Sequence, residues 1–443
     1  MAGGLLPPLT GLPLPWASWP WPRPGRWQAR ITPWRPFWVP SWEPDMSKFL
    51  ALIGLLAVSL HAYAQPYLSE AEAVRIGLER SDFAGWLEAG RAQADGLART
   101  AGQWDNPEIE YSYEEADLAG GAVEDHFYWL RQRFNLAGVH GLERRSARFR
   151  SAASGARIDL DRNEQAALIR RHFYDALAAS SQAEAVDRWH DRLAQLVADV
   201  DERARAGDAS RFDALRLRHE LAALKGDRLE TQARAASARD RLFGLIEHEP
   251  VELAGELLPP MSKVAEPRHL VADHPELRAL NAEIRAAELS ARAAERGRWP
   301  EMTLGVGRRE LDEPGISASG NLFMVGLEVP LFDRGAGRAQ AESAQARRLA
   351  AERELMISRL TSEIRSAARE LEARRSAALA LSEIQDAESL AEIAESAYRA
   401  GEIGVLELID AHRTELAASR ERIRRALAAR QSHIELQLMR GEP

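Results

Sequence analysis

The chain has 443 residues, of which 45% are hydrophobic and 28% are charged, and it contains no cysteine. The lack of cysteine excludes disulfide scaffolds, Cys-ligated metal centres, thiol catalysis and a lipid-modified N-terminal cysteine. A mean hydropathy of -0.36 excludes a polytopic helical membrane protein, which needs repeated apolar runs of about 20 residues.

The first 64 residues predict an export signal behind an unusual leader. Residues 1–45 are rich in Trp, Pro and Arg and follow no helical or strand period. Met46-Ser47-Lys48 then precedes an apolar run and the small-residue site Ala62-Tyr63-Ala64, which together predict a signal peptide over 46–64. We interpret Met46 as the true start and 1–45 as a non-native extension with a misassigned start. The alternative is a genuine Trp-rich extension.

Removal of residues 1–64 leaves an acidic chain of 53 basic and 65 acidic residues. A nucleic-acid-binding protein needs a basic stripe to meet the phosphate backbone. The charge balance therefore argues against nucleic acid as a partner.

The remaining chain repeats itself with an offset of nearly 200 residues. Asn106-Pro107-Glu108 matches Trp299-Pro300-Glu301, and Arg205-Ala206-Gly207-Asp208 matches Arg399-Ala400-Gly401-Glu402. We expect a first repeat over 65–250, a proline-rich linker over 251–274, and a second repeat over 275–443.

Each repeat predicts a helix, a β-hairpin and a long helical hairpin. The expected segments are a first helix at 70–104 or 275–298, strands near 109–113 and 127–134 or 303–306 and 322–329, a long helix at 143–206 or 338–400, and a return helix at 209–243 or 405–440. The long helices would each extend for roughly 95 Å, more than the core of a soluble globular domain accommodates.

The strands suggest a membrane segment that one chain cannot complete. Alternation favours Phe127 and Trp129, with Phe323, Val325, Leu327 and Val329, on a lipid side, and Gln132, Gly326 and Glu328 on a lumen side. A bilayer accepts β structure only as a closed barrel, and known barrels have at least 8 strands. Four strands would therefore have to share a barrel with other subunits.

The segment from Tyr398 to Asp410 resembles the second hairpin turn of the TolC family of outer-membrane efflux channels. Asn106-Pro107-Glu108 and the segment from Val329 to Gly335 are similar to the heavy-metal branch typified by CzcC and CusC. The resemblance implies a mainly α fold with a small β part, in which a homotrimer forms a 12-stranded β-barrel and a 12-helix periplasmic tunnel. It also implies no enzymatic activity, no cofactor, and a place in the outer membrane of a Gram-negative bacterium.

The same resemblance suggests the functional residues and partners. Asp213, Glu407 and Asp410 match acids that ring the periplasmic aperture, and two turns match the surface that docks a periplasmic adaptor, which couples the channel to an inner-membrane RND pump. The turn residues are Arg205, Gly207, Asp208, Arg399, Gly401 and Glu402. Alternatively, the acids are solvated residues near helix N-termini, and the glycines are C-caps.

The sequence therefore favours the passive exit duct of a tripartite efflux system, and the branch resemblance favours heavy-metal cations as its substrates. A multidrug or type I secretion channel is the alternative within this class, and a periplasmic coiled-coil rod is the alternative outside it. The histidines, such as His190 and His412, are isolated, so no metal-binding site is expected within the chain.

Overall fold

The computed structural model describes residues 67–118, 121–261, 271, 273–382 and 389–442. The leader and signal peptide expected over residues 1–64 lie outside the described residues. Residues Gln65–Pro443 form one unit. In this unit long helices pack side by side, and the four long strands form one β-sheet.

The first repeat contains the elements that its sequence pattern predicts, with longer strands. They are β1 (Leu68–Ser69), α1 (Glu70–Glu79), α2 (Ser81–Thr100), β2 (Glu108–Leu118), β3 (Gly121–Asn135), α3 (Val139–Ala206) and α4 (Arg211–Ile246). With 68 residues, α3 extends for about 100 Å.

The second repeat follows the same order. After β4 (Leu253–Ala254) in the linker, its elements are α5 (Pro275–Arg296), β5 (Glu301–Glu313), β6 (Ile316–Glu328), α6 (Ala336–Ser382), α7 (Leu390–Ala400) and α8 (Val405–Met439). The prediction of two copies of helix, β-hairpin and helical hairpin is confirmed.

Two helices expected to be continuous are divided. The helix expected over 338–400 restarts at α7, because Ser389 has extended backbone and its Oγ accepts a hydrogen bond from the Glu392 amide at 3.3 Å. The first helix is interrupted at Arg80, whose backbone is also extended (ψ 133°). At Ser389 a side-chain cap therefore starts a new helix within a sequence rich in helix-forming residues.

All four long strands join one antiparallel sheet in the order β2-β3-β5-β6. The two hairpins meet where β3 pairs with β5, from Asn135 opposite Glu301 to Glu124 opposite Asp312. The strands β2 and β6 therefore form the two edges of the sheet.

The helical core consists of three larger apolar clusters along the helices. Phe173 and Ile169 on α3 are fully buried among residues of α1, α4 and α8, and Ile364 on α6 is buried against α5 and α8. Where α3 crosses α5, Ser146 donates to the Ala286 carbonyl at 2.8 Å. Small residues at this crossing allow the backbones to approach closely.

The described part of the linker is fixed to both repeats. β4 pairs in parallel with β1, and the Arg430 guanidinium on α8 donates to the carbonyls of Leu257 and Leu258 at 3.0 and 2.9 Å. The same guanidinium lies 4.4 Å from the centre of the Tyr174 ring on α3. The linker therefore holds the two repeats in register instead of joining them loosely. Among the described residues, no helix combines the length and the apolarity needed to cross a membrane.

Candidate functional site

The register of the sheet assigns every strand residue to one of two faces. Ile109, Leu130, Val306 and Phe323 form one row across all four strands and share a face. We call this the apolar face and the opposite one the polar face. The exposed hydrophobic residues of the apolar face have 40% to 83% of their surface accessible, and they are Ile109, Tyr111, Tyr113, Tyr128, Leu130, Leu304, Val306, Phe323, Val325 and Leu327.

The register corrects one part of the predicted face assignment. Phe127 pairs with Arg309 and Trp129 with Gly307, so both lie on the polar face together with Gly326 and Glu328. Gln132 pairs with Leu304 on the apolar face. The expected grouping of Phe127 and Trp129 with Phe323, Val325 and Leu327 on one face is therefore wrong. Alternation within one strand separates its residues into two sets, but it does not show which set lies on the same face as a given set of the neighbouring strand.

The apolar face is limited at both ends by different side chains. Near the hairpin loops, a row across the sheet brings together Glu115, Glu124 and Asp312. The Tyr111 and Tyr128 rings lie closer to the helices than this row, with their centres 5.2 Å apart. At the helix end, the Trp104 ring meets Phe134 edge-on at 5.6 Å.

The resulting band has the dimensions of a lipid-facing surface. Phe134 and Tyr128 are six positions apart, or about 20 Å along a strand. Outer-membrane barrels carry an outward apolar band of about 25 Å between girdles of aromatic residues. Membership in such a surface would explain why so many large apolar side chains are exposed in the single chain.

The polar face instead carries paired charges. The Arg131 guanidinium contacts the Glu110 carboxylate at 2.5 Å across β2 and β3. Arg309 Nε on β5 donates to Asp125 Oδ1 on β3 at 2.7 Å. The sheet therefore has one apolar face and one face with paired charges.

The two helical hairpin turns have the same backbone geometry. Gly207 and Gly401 have φ of 89° and 77°, in the left-handed region that favours glycine. The residue after each closes the turn, since the Asp208 amide donates to the Arg203 carbonyl at 2.8 Å and the Glu402 amide to Ala397 at 2.9 Å. All six residues expected for adaptor docking are exposed, namely Arg205, Gly207, Asp208, Arg399, Gly401 and Glu402.

The three acids expected at the aperture follow these turns on α4 and α8. Asp213 is half-buried and faces Tyr398; burial and then the Asp213 charge raise the pKa of that phenol. Glu407 and Asp410 are exposed on α8. A single chain thus presents Glu407 and Asp410 at the surface near one hairpin turn and Asp213 near the other.

The sequence analysis did not predict a buried polar cluster between α3, α7 and α8, near the hairpin turn at Gly401. His412 is 3% exposed, and its ring stacks on Trp189 of α3 with centroids 3.8 Å apart. Burial lowers the pKa of His412 to about 4, although the nearby Glu415 carboxylate opposes this shift. Glu395 Oε1 lies 3.3 Å from His412 Nε2. The stacking with Trp189 accounts for His412 as a packing residue.

Glu415 in the same cluster joins α8 to the start of α7. Its Oε2 accepts hydrogen bonds from Ser389 Oγ at 2.6 Å and from the Ala391 amide at 2.9 Å. Burial opposes the charge, but these two bonds hold the pKa of the carboxyl below its usual value. The Ser-x-x-Glu pattern at 389–392 is a sequence sign of a helix start that the surrounding Ala-rich run obscures.

Ion pairs join the return helices of the two repeats at matching heights. Arg413 on α8 pairs with Glu220 on α4, and Arg420 with Asp227 at 3.0 Å. Both pairs connect residues 193 positions apart, close to the repeat offset. Within the described part of the chain, no group of three His, Cys, Asp or Glu side chains is arranged to hold a metal ion.

A subunit with an open, two-faced sheet attached to long helical hairpins has the architecture of an outer-membrane channel protomer. Residues 267–442 match the family model described as outer membrane efflux protein. This match over the second repeat agrees with the sequence resemblance to outer-membrane efflux channels and with the predicted outer-membrane location. A family of efflux channels also agrees with the expectation that the chain is not an enzyme.

Solved structures of outer-membrane channels have the same fold. CusC is 14% identical, with a TM-score of 0.67 over 86% of this chain and 96% of CusC. VceC from Vibrio cholerae is 17% identical, with a TM-score of 0.67 over 84% and 96%. The channel OprN is 20% identical, with a TM-score of 0.66 over 84% and 90%. No curated protein sequence matched the chain.

Proposed function

We propose that three copies of this chain close one 12-stranded barrel and one 12-helix tunnel, which together form the passive exit duct of a tripartite efflux system. The observation that carries this proposal is the four-stranded open sheet with an apolar band on one face. In a bilayer, the edge groups of β2 and β6 need partners, because an unpaired backbone polar group in hydrocarbon costs several kcal/mol. Pairing β6 of one copy with β2 of the next supplies these partners.

The helical hairpins support the remaining part of the proposal. Helix α3 is about 100 Å long, so a hairpin of this length extends far beyond a bilayer into the periplasm. The exposed turns at its end suit docking to a periplasmic adaptor that links the channel to an inner-membrane RND pump. A periplasmic rod is less compatible with the apolar face, which a water-exposed sheet would not carry.

Heavy-metal cations are the substrate class that we favour. Two observations support them: the sequence resemblance to the heavy-metal branch, and the acids Asp213, Glu407 and Asp410 near the turns. Three copies would bring nine carboxylates to the periplasmic end, where a ring of acids attracts cations and repels anions.

Planar-bilayer recordings test both the channel and its aperture. Native protein should open channels that prefer cations, and the combined substitution Asp213→Asn, Glu407→Gln and Asp410→Asn should reduce that preference in the reversal potential. Glu164→Gln, at an exposed acid in the middle of α3, is the matched control. Absence of channels would overturn the proposal, and an unchanged preference would remove the aperture assignment.

Growth of a deletion strain tests the substrate class. Loss of the gene should lower tolerance to one or more of zinc, cobalt, cadmium, copper and silver, and expression of the native chain should restore it. Unchanged tolerance to all five, with new sensitivity to drugs or lost secretion of a protein, would favour the alternative channels.

A further inference from the structure

The segment Gly305-Val306-Gly307 of β5 receives two large side chains of β3. The register places Trp129 opposite Gly307 and Arg131 opposite Gly305. All four residues lie on the polar face, while Val306 between the glycines points to the apolar face. Glycine weakens a strand and often marks a site where another group approaches closely, so two glycines at alternate positions need an explanation.

The Trp129 indole occupies the space that a side chain at position 307 would take. A β-carbon added to Gly307 would lie 2.8 Å from Trp129 Cε3 and 2.9 Å from Cδ2. It would also lie 2.7 Å from the Tyr128 carbonyl oxygen. The indole therefore rests directly on the backbone of β5.

Arg131 is held beside it by similar means. A β-carbon at Gly305 would lie 3.5 Å from Arg131 Cγ and 3.1 Å from Met324 Cε. The guanidinium is fixed by Glu110 at 2.5 Å and lies 5.6 Å from the centre of the Trp129 ring. Such a cation near an indole adds attraction through the ring's charge distribution.

The neighbouring aromatic residue has no such space. Phe127 pairs with Arg309 instead of a glycine, and the Arg309 guanidinium lies 5.5 Å from the centre of its ring. Among the described aromatic residues of this face, Trp129 alone lies opposite a glycine of β5.

We infer that Gly305-Val306-Gly307 is a seat that holds the Trp129 indole flat against the sheet, so that Gly307 sets the free width of the channel at this level. The inference rests on the proposed function, in which the polar face lines the lumen. Three copies place three indoles at one height. A side chain at position 307 would lift each indole from the wall toward the axis and narrow the passage for solutes.

Single-channel conductance tests the seat. Gly307→Ala should reduce the conductance, and Trp129→Ala added to it should reverse the loss. Trp129→Ala should change the conductance of the native protein less than it changes the conductance of the Gly307→Ala variant. Gly320→Ala is the matched control, since Gly320 lies on the same face and a β-carbon there meets nothing within 4 Å.

The outcomes separate this inference from the proposed function. Native protein that opens no channels overturns both. If native protein opens channels, two results would overturn the proposed seat while leaving the channel proposal standing. One is that Gly307→Ala changes the conductance no more than Gly320→Ala does. The other is that Gly307→Ala and Trp129→Ala act independently.

A second measurement applies if Gly307→Ala prevents assembly through its contact with the Tyr128 carbonyl. The difference between the fluorescence anisotropy decays of native protein and Trp129→Phe isolates this indole. A seated ring should show no local rotation, whereas free rotation on the picosecond-to-nanosecond scale of exposed side chains contradicts the seat.

Discussion

At the residue scale, His412 and Glu415 show how a polar group is kept in the helical core near the turns. The His412 ring is covered by Trp189 and stays neutral because burial penalises its charged form. Glu415 keeps its charge because two donors face it. Neither role follows from the sequence, since an isolated histidine on a long helix has no pattern that reveals what covers it.

Because His412 is neutral in the folded chain, we predict that acid lowers the stability of the helical hairpins. Its pKa is lower in the folded chain, about 4, than in the unfolded chain, about 6.5. The unfolded state therefore binds more protons between these values, and stability falls as pH falls from about 6.5 toward about 4. At its largest the loss is about 3 kcal/mol per chain.

The effect is measured as the melting temperature at several pH values in this interval, with the helical circular dichroism signal as the readout. His412→Phe keeps an aromatic ring against Trp189 and should flatten the dependence. A melting temperature that falls equally in both proteins would contradict the assignment to His412.

At the element scale, the sequence predicted which segments form and how they end. The repeat offset, the prolines before β2 and β5 and the glycines at the turns mark boundaries through local chemistry, and the structure agrees there. The sequence did not predict the face of Phe127 and Trp129, because the register between β3 and β5 depends on pairing between distant segments. It also missed the helix start at Ser389, because an Ala-rich run favours helix on both sides.

The turn glycines and the helix glycines should respond to alanine with opposite signs. Gly401 has φ of 77°, where a β-carbon is strained, so Gly401→Ala should destabilise the hairpin by about 1 kcal/mol. Gly226 lies exposed within α4, with free space around it, so Gly226→Ala should stabilise by roughly 0.5–1 kcal/mol. Melting temperatures of the two variants check this, and a shift in the same direction would contradict the turn geometry.

At the scale of the whole molecule, two features of the single chain favour the proposed assembly of several copies. Its apolar face and two free sheet edges are compatible with hydrocarbon only when the edges pair, and both are products of one register. The number of copies is not encoded in any one segment. In the proposed assembly it would follow from the number of strands that closes a barrel and from the packing of the helices of neighbouring copies.

Disulfide cross-linking in this cysteine-free chain tests the closed barrel most directly. Ser112→Cys on the polar face of β2 is combined, one at a time, with Gly320→Cys, Leu322→Cys or Met324→Cys on the polar face of β6. Controls combine Ser112→Cys with Asn321→Cys or Phe323→Cys, which face the opposite side. A closed barrel of three copies predicts that at least one polar-face pair gives covalent trimers as the largest product and that the controls give none. Monomers throughout, or an open-ended ladder of larger products, would contradict it.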